Sequence, residues 1–199
     1  MSQVSKKRQI ALVIKKRNLR DPNLLKEDLE YWRSRPPEER IATVEGLRRE
    51  YYGDILDLAQ VVDIFNSYKI EYLIVGSYAL AFHGAPRNTG DIDVWIKPDK
   101  INAERILKSL DAFGFGSLDL SADDFTHPDK IIQLGDSPIK IDLITSISGV
   151  SWDEAVKHGV KGPYGHVTVN FIGLNEFIKN KKATGRLQDL ADLERLAAE

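Results

Sequence analysis

The chain has 199 residues, a formal net charge of −2, 42% apolar residues and no cysteine. That length holds one sizeable domain, or one domain with an appendage. The composition excludes a disulfide framework and a thiolate zinc site, and no apolar run is long enough to span a membrane.

Residues 1–20 carry Lys6, Lys7, Arg8, Lys15, Lys16, Arg17 and Arg20 and no acid. Such an arm either draws nucleic acid to it non-specifically or is a solvated tail, and both readings stand. The apolar stretch from Ile10 to Ile14 is too short for a secretory signal, so a cytoplasmic protein is expected. Leu24, Leu25, Leu29 and Trp32 then recur at helical spacing. Pro36-Pro37 interrupts, and Pro37 suits the first turn of a second helix running through Ile41, Val44, Leu47 and Tyr51 to about Gly53. Glu38 and Glu39 at its start and Arg48 and Arg49 near its end complement the helix dipole. Residues 1–53 are therefore expected to be a basic arm and a helical hairpin appended to a domain at 54–199.

Ile55, Leu58, Val61, Val62 and Phe65 predict a further amphipathic helix. Glu71 to Val75 reads as a short buried strand, broken by Gly76-Ser77. Tyr78 to His83 reads as a short helix closed by Gly84 and Pro86, with His83 in a packing or capping role. Thr89-Gly90 reopens an extended segment, Asp91 to Ile96, which places Asp91, Asp93 and Trp95 on one face and Ile92, Val94 and Ile96 on the other. A helix is expected from Ile101 to Phe113, ended by Gly114 and Gly116. Residues 117–129 read as an acidic loop, with Asp123 and Asp124 simply solvated.

Lys130 to Leu134 and Ile139 to Ile144 are predicted strands around a turn at 135–138. In the second strand Asp142 lies opposite the core-facing Ile141 and Leu143. Ser151 or Trp152 opens a short helix through Val156. Gly159, Gly162, Pro163 and Gly165 read as a flexible turn. Val167, Val169 and Phe171 alternate as a last strand, and helices at Leu174 to Lys182 and Leu187 to Leu196 close the chain around Gly185. The expected fold class is α/β (α+β): a small mixed sheet walled by helices, with the N-terminal helical appendage. The four histidines show no metal spacing.

Asp91 and Asp93, neighbours on one strand face, repel each other unless a cation or hydrogen-bond donors compensate them. Magnesium suits such a pair, since it takes one or two carboxylates together with substrate phosphates. The Gly76-Ser77 turn offers the other half. Glycine lets a phosphate approach the backbone, and the following helix start points N–H groups at it. An ordinary strand-to-helix turn with Ser77 as N-cap would use the same N–H groups.

A hydrophobic strand, Gly76-Ser77, Asp91-Ile92-Asp93 and then Ile141-Asp142-Leu143 resemble the signature of the polymerase-β-like nucleotidyltransferase superfamily. Ser77 stands where many relatives have a second glycine. The runs HGAPRNTGDID and KNKKATGRLQDLADL resemble the abortive-infection type, which includes toxins of bacterial toxin–antitoxin systems. The resemblance covers residues 71–192. It implies transfer of a nucleoside monophosphate from a triphosphate to a hydroxyl, an activity of the EC 2.7.7 type. The implied cofactor is magnesium (or manganese) on Asp91, Asp93 and Asp142, two ions sharing these ligands, with Asp142 also the base. Gly76, Ser77, Arg87, Lys179, Lys182 and Asp189 are the implied nucleotide-binding residues, with Arg186 and Asp192 in the same C-terminal motif. The implied acceptor is RNA, such as the 3′ end of a tRNA, the role that of a toxin, and the partner an antitoxin protein. Two alternatives keep part of this reading: transfer to an antibiotic or a protein side chain, and a non-catalytic nucleotide-binding or antitoxin-type partner protein.

Overall fold

The computed structural model describes residues 24–52, 58–112, 119–135 and 140–197. The basic arm, Gly53, Ile55, Phe113, Gly114, Gly116, most of the turn at 135–138 and Ile139 lie outside the described residues.

The two helices expected within residues 1–53 appear as α1 (Leu24–Arg33) and α2 (Pro37–Tyr52). α3 (Leu58–Ser67) follows and buries Leu58, Val61, Val62 and Phe65, the stripe its apolar spacing dictates. β1 (Tyr72–Ile74) and β2 (Asp91–Ile96) flank a short helix, α4 (Gly76–Phe82). α5 (Lys100–Ala112) leads to a 3₁₀ turn at Ala122–Phe125 and then to the β3 (Ile131–Leu134) and β4 (Lys140–Ile144) pair. α6 (Trp152–His158), β5 (Val160–Tyr164), β6 (Val167–Phe171), α7 (Leu174–Thr184) and α8 (Leu187–Ala197) complete the described chain.

The six strands form one mixed sheet in the order β3-β4-β2-β1-β6-β5. β2 runs parallel to β4 and antiparallel to β1, and β1 is parallel to β6. With helices interleaved along the chain, this is the expected α/β class. Among the described residues no helix is long and apolar enough to cross a membrane.

Three expectations change. The segment at 159–165 is not a flexible turn: Val160–Tyr164 is an edge strand paired antiparallel to β6. An edge strand tolerates Pro163, which cannot donate to a ladder. Gly162 is required there because a Cβ would run into the Phe82 ring, itself stacked on Phe171 at 4.3 Å. The acidic loop is partly ordered too. Phe125 is fully buried, and Ser121 and Asp124 form a reciprocal capping box around the 3₁₀ turn, so Asp124 caps its own turn. Finally, α4 begins at Gly76, two residues earlier than expected, and its N-cap is Val75 rather than Ser77.

α2 is tied to α4 by a buried polar cluster. Arg48 Nη1 donates to the Tyr78 hydroxyl at 2.7 Å, and that hydroxyl donates to Glu45 Oε1 at 2.7 Å. Glu45 Oε1 also accepts the Leu58 N–H at 2.8 Å. Burial, with the Glu45 charge next, holds the Tyr78 phenol well above its ordinary pKa, so it stays a donor. Nε and Nη2 of Arg48 have no hydrogen-bond partner among the described residues, which leaves Glu45 and Tyr78 as its anchors. Tyr78→Phe is expected to cost about 1–3 kcal/mol, the usual range when a buried polar group loses its partner; urea unfolding measures it.

Candidate active site

The parallel pairing of β2 with β4 decides the geometry. Asp93 stands directly opposite Asp142, with Asp91 opposite Lys140. Residues two apart share a face, so all three carboxylates emerge on one side of the sheet. One carboxylate oxygen from each of Asp91, Asp93 and Asp142 lies within 4.8 Å of the other two. All three residues are half-buried. Trp95, on the same face of β2, is instead covered: it is fully buried, packs edge-to-face on Trp152 at 5.2 Å, and donates to the Thr145 carbonyl at 3.3 Å. The open part of the face is therefore the aspartate end.

β1 brings the Gly-Ser turn to the same place. The Val75 N–H donates to the Asp93 carbonyl at 3.1 Å. Gly76 has φ +59°, a conformation that favours glycine, and a Cβ there would fall on the Asp93 carboxylate. Glycine at 76 thus serves the acid as well as the turn. Ser77 is 3% exposed and lines the adjoining cavity.

That cavity has a volume of about 400 Å³. Gly76, Ser77, Asp91 and Asp93 form one wall, and Arg87, Lys181, Arg186 and Asp189 another. The second wall is an ion network. Lys181 Nζ donates to Asp189 Oδ1 at 2.6 Å and to Asp192 Oδ2 at 2.9 Å. Arg87 grips Asp192 through Nε at 2.8 Å and Nη2 at 3.2 Å. Arg186 grips Asp189 through Nε at 2.7 Å and Nη2 at 3.3 Å. Gln188 adds a bond to Asp192 Oδ1 at 3.0 Å. Burial pushes Asp189 and Asp192 upward, but the bonds from Arg186, Arg87 and Lys181 outweigh it and hold both below the ordinary carboxylate range. Both acids are ionised, and their oxygens are largely taken by the cations.

Asp93 is the opposite case. Burial first, then the Asp91 and Asp142 charges, push it up to about 7, with Lys181 and Arg87 pulling the other way. Three carboxylates this close cannot all ionise cheaply without a cation.

The predicted residues divide accordingly. Gly76, Ser77, Arg87, Asp91, Asp93 and Asp189 line the cavity, and Asp142 adjoins it through the carboxylate cluster. Among the described residues lining the cavity, neither Lys179 nor Lys182 is present. Lys179 instead pairs with Glu154 at 2.8 Å with its side chain 53% exposed, and Lys182 is exposed. The helix turns Lys181 inward, a residue sequence reading passed over. The signal was there, since Lys181 lies one turn beyond the buried Phe177 and so shares its stripe. Asp189 answers to cations rather than standing free to read a base. The acidic residues 119–124 are not among those lining the cavity.

The donor set fits a divalent cation. Carboxylate oxygens are the ligands that magnesium and manganese take, and Gly76, with no side chain, lets the Asp93 carboxylate sit against the turn while Ser77 lines the cavity beside it.

No family model matches the chain, and no curated protein matches it. Among solved structures, the fold is similar to that of a candidate nucleotidyltransferase from Thermotoga maritima, with a TM-score of 0.47 and 18% identity over 69% of this chain and 88% of that one. It is also similar to an antigenic nucleotidyltransferase-like protein from Paracoccidioides brasiliensis, with a TM-score of 0.43 and 18% identity over 80% of this chain and 74% of that one. Both likenesses are distant.

Proposed function

We propose that this chain is a divalent-metal-dependent nucleotidyltransferase of the polymerase-β-like kind, moving a nucleoside monophosphate from a triphosphate to a hydroxyl. The observation that carries this reading is the convergence of Asp91, Asp93 and Asp142 beside a cavity into which Gly76 and Ser77 open. Asp91, Asp93 and Asp142 would hold magnesium or manganese; when bound, such an ion supplies Lewis acidity and neutralises phosphate charge.

The protein groups do the rest. Gly76 lets the backbone approach a phosphate, and the Ser77 hydroxyl donates to one of its oxygens. An ammonium has three donors, so Lys181, which spends two on Asp189 and Asp192, has one left for the cavity. Arg87 and Arg186 also keep N–H groups beyond those given to the aspartates. Their wall therefore suits the triphosphate tail and its pyrophosphate product. In the transfer, the acceptor oxygen bonds to the α-phosphorus, the bond from that phosphorus to the bridging oxygen breaks, and pyrophosphate leaves. Asp142, by the motif resemblance, takes the acceptor proton; Gln133 Nε2 donates to its Oδ1 at 3.0 Å, which fixes the orientation of the carboxylate.

The acceptor we favour is RNA, such as the 3′ end of a tRNA, with a toxin role in the cytoplasm and an antitoxin partner. The motif resemblance supports this finer reading. Labelled nucleoside triphosphates, incubated with magnesium or manganese and total RNA, should label RNA with the native chain and not with Asp91→Ala. Label in a protein or small-molecule pool would move the acceptor elsewhere, and no label in any pool would contradict nucleotidyl transfer itself.

A further inference from the structure

Two residues outside the ion ligands hold the outer carboxylates. Thr89 is 7% exposed, and its hydroxyl donates to Asp91 Oδ1 at 2.6 Å. Thr89 lies two positions before Asp91, just ahead of the start of β2 and across the bend at Gly90. On the other flank Gln133 stands opposite Asp142 in the β3–β4 ladder, and its amide donates to Asp142 Oδ1 at 3.0 Å. Each outer aspartate has one oxygen engaged by a protein donor and one that no side chain holds among the described residues. The middle one, Asp93, has its Oδ2 against Gly76.

Resting on the metal-dependent reading above, we infer that Thr89 and Gln133 are positioning residues that set the site's choice of cation. By occupying Oδ1 of Asp91 and of Asp142, they turn each carboxylate to offer a single oxygen. Magnesium and manganese accept one oxygen per carboxylate in an octahedral shell, with water and substrate oxygens filling it. Calcium takes more ligands at longer distance and often grips both oxygens of a carboxylate. A pair of donors that discourages two-oxygen grip therefore favours the smaller ions. Thr89 also borders the cavity, but the role assigned to each residue is exerted through the aspartate it holds.

The test is direct calorimetric titration of manganese and of calcium, without nucleotide, into the native chain, Thr89→Val, Thr89→Ser and Gln133→Ala. Native protein should bind manganese more tightly than calcium. Thr89→Val keeps the shape and removes the donor, and it should weaken manganese binding by about tenfold, the low end for loss of a group that orients a metal ligand. Calcium binding should change little, so the manganese-to-calcium preference narrows by a similar factor. Thr89→Ser restores the hydroxyl and should restore the preference, which a merely structural role for the buried threonine would not produce. Gln133→Ala, on the exposed edge strand, should narrow it in the same direction, and it keeps the inference testable if Thr89→Val fails to fold. Unchanged manganese and calcium affinities in Thr89→Val or, where that variant does not fold, in Gln133→Ala would overturn the inference and leave the nucleotidyltransferase reading intact. No saturable binding of either ion to the native chain would overturn both.

Discussion

Replacing Asp93 by Asn is expected to abolish transfer and, in the same protein, to stabilise the metal-free fold at pH 8. The loss follows from removing one of the three proposed ion ligands. Charge stabilisation by a metal is worth several kcal/mol, and about 4 kcal/mol is a thousandfold in rate. The gain follows from crowding. Asp93 is lifted from 3.8 to about 7 by burial and by Asp91 and Asp142, so its neutral form is the one the metal-free fold prefers. The stability this preference provides is complete below pH 3.8 and is lost as pH rises through about 7. An amide at 93 keeps it at every pH. At 1.36 kcal/mol per pH unit, Asp93→Asn should be the more stable protein by on the order of 2–4 kcal/mol at pH 8. The two proteins should converge near pH 4, and thermal unfolding in chelator across that range gives the comparison. Saturating magnesium at pH 8 should close the gap from the other side, because only the native site gains a ligand.

The second large effect is expected at Lys181. Lys181→Met keeps an aliphatic stem of similar length but removes the ammonium that sits over the Phe177 ring and between Asp189 and Asp192. Breaking a buried ion pair by deleting one partner costs about 3–5 kcal/mol; Arg87 and Arg186 still hold the two acids, so about 3 kcal/mol is the expected loss in denaturant unfolding. Asp189 and Asp192 are depressed carboxylates, so the stability they contribute is present above the unfolded pKa and is lost as pH falls through the folded one. The loss on Lys181→Met should therefore be largest near neutral pH and shrink in acid. A second signature separates this from simple unfolding. Lys181 pulls Asp93 downward, so without it Asp93 ionises at higher pH, and ion binding should need a more alkaline solution. Lys179→Met, on the Glu154 side of the same helix, should change stability by less than about 1 kcal/mol, as exposed ion pairs do.

Much of this site was legible because its parts obey short-range rules. Alternation along a strand put Asp91 with Asp93 and set Asp142 apart from Ile141 and Leu143. A glycine before a short helix marked the turn. The meeting of Asp93 with Asp142 is a matter of register, set by the parallel β2–β4 pairing, and only the motif resemblance pointed to it. Lys181 and Thr89 were missed for different reasons. The lysine was passed over because its burial follows the apolar stripe through Phe177 rather than the charge pattern around it. The threonine's role depends on a hydroxyl rotor and a 2.6 Å contact, which no spacing rule encodes. The segment at 159–165 misled because glycine and proline usually mark turns. Here one glycine makes room for Phe82, and the proline sits on a sheet edge.

Manganese titration at pH 8, followed by its electron paramagnetic resonance signal, tests most directly whether the three aspartates form an ion site. The native chain should show saturable binding, strengthened by a nucleoside triphosphate. Asp91→Ala, Asp93→Asn and Asp142→Asn should each abolish it or weaken it by more than about tenfold. Binding of equal strength in the native chain and in all three variants would contradict the site.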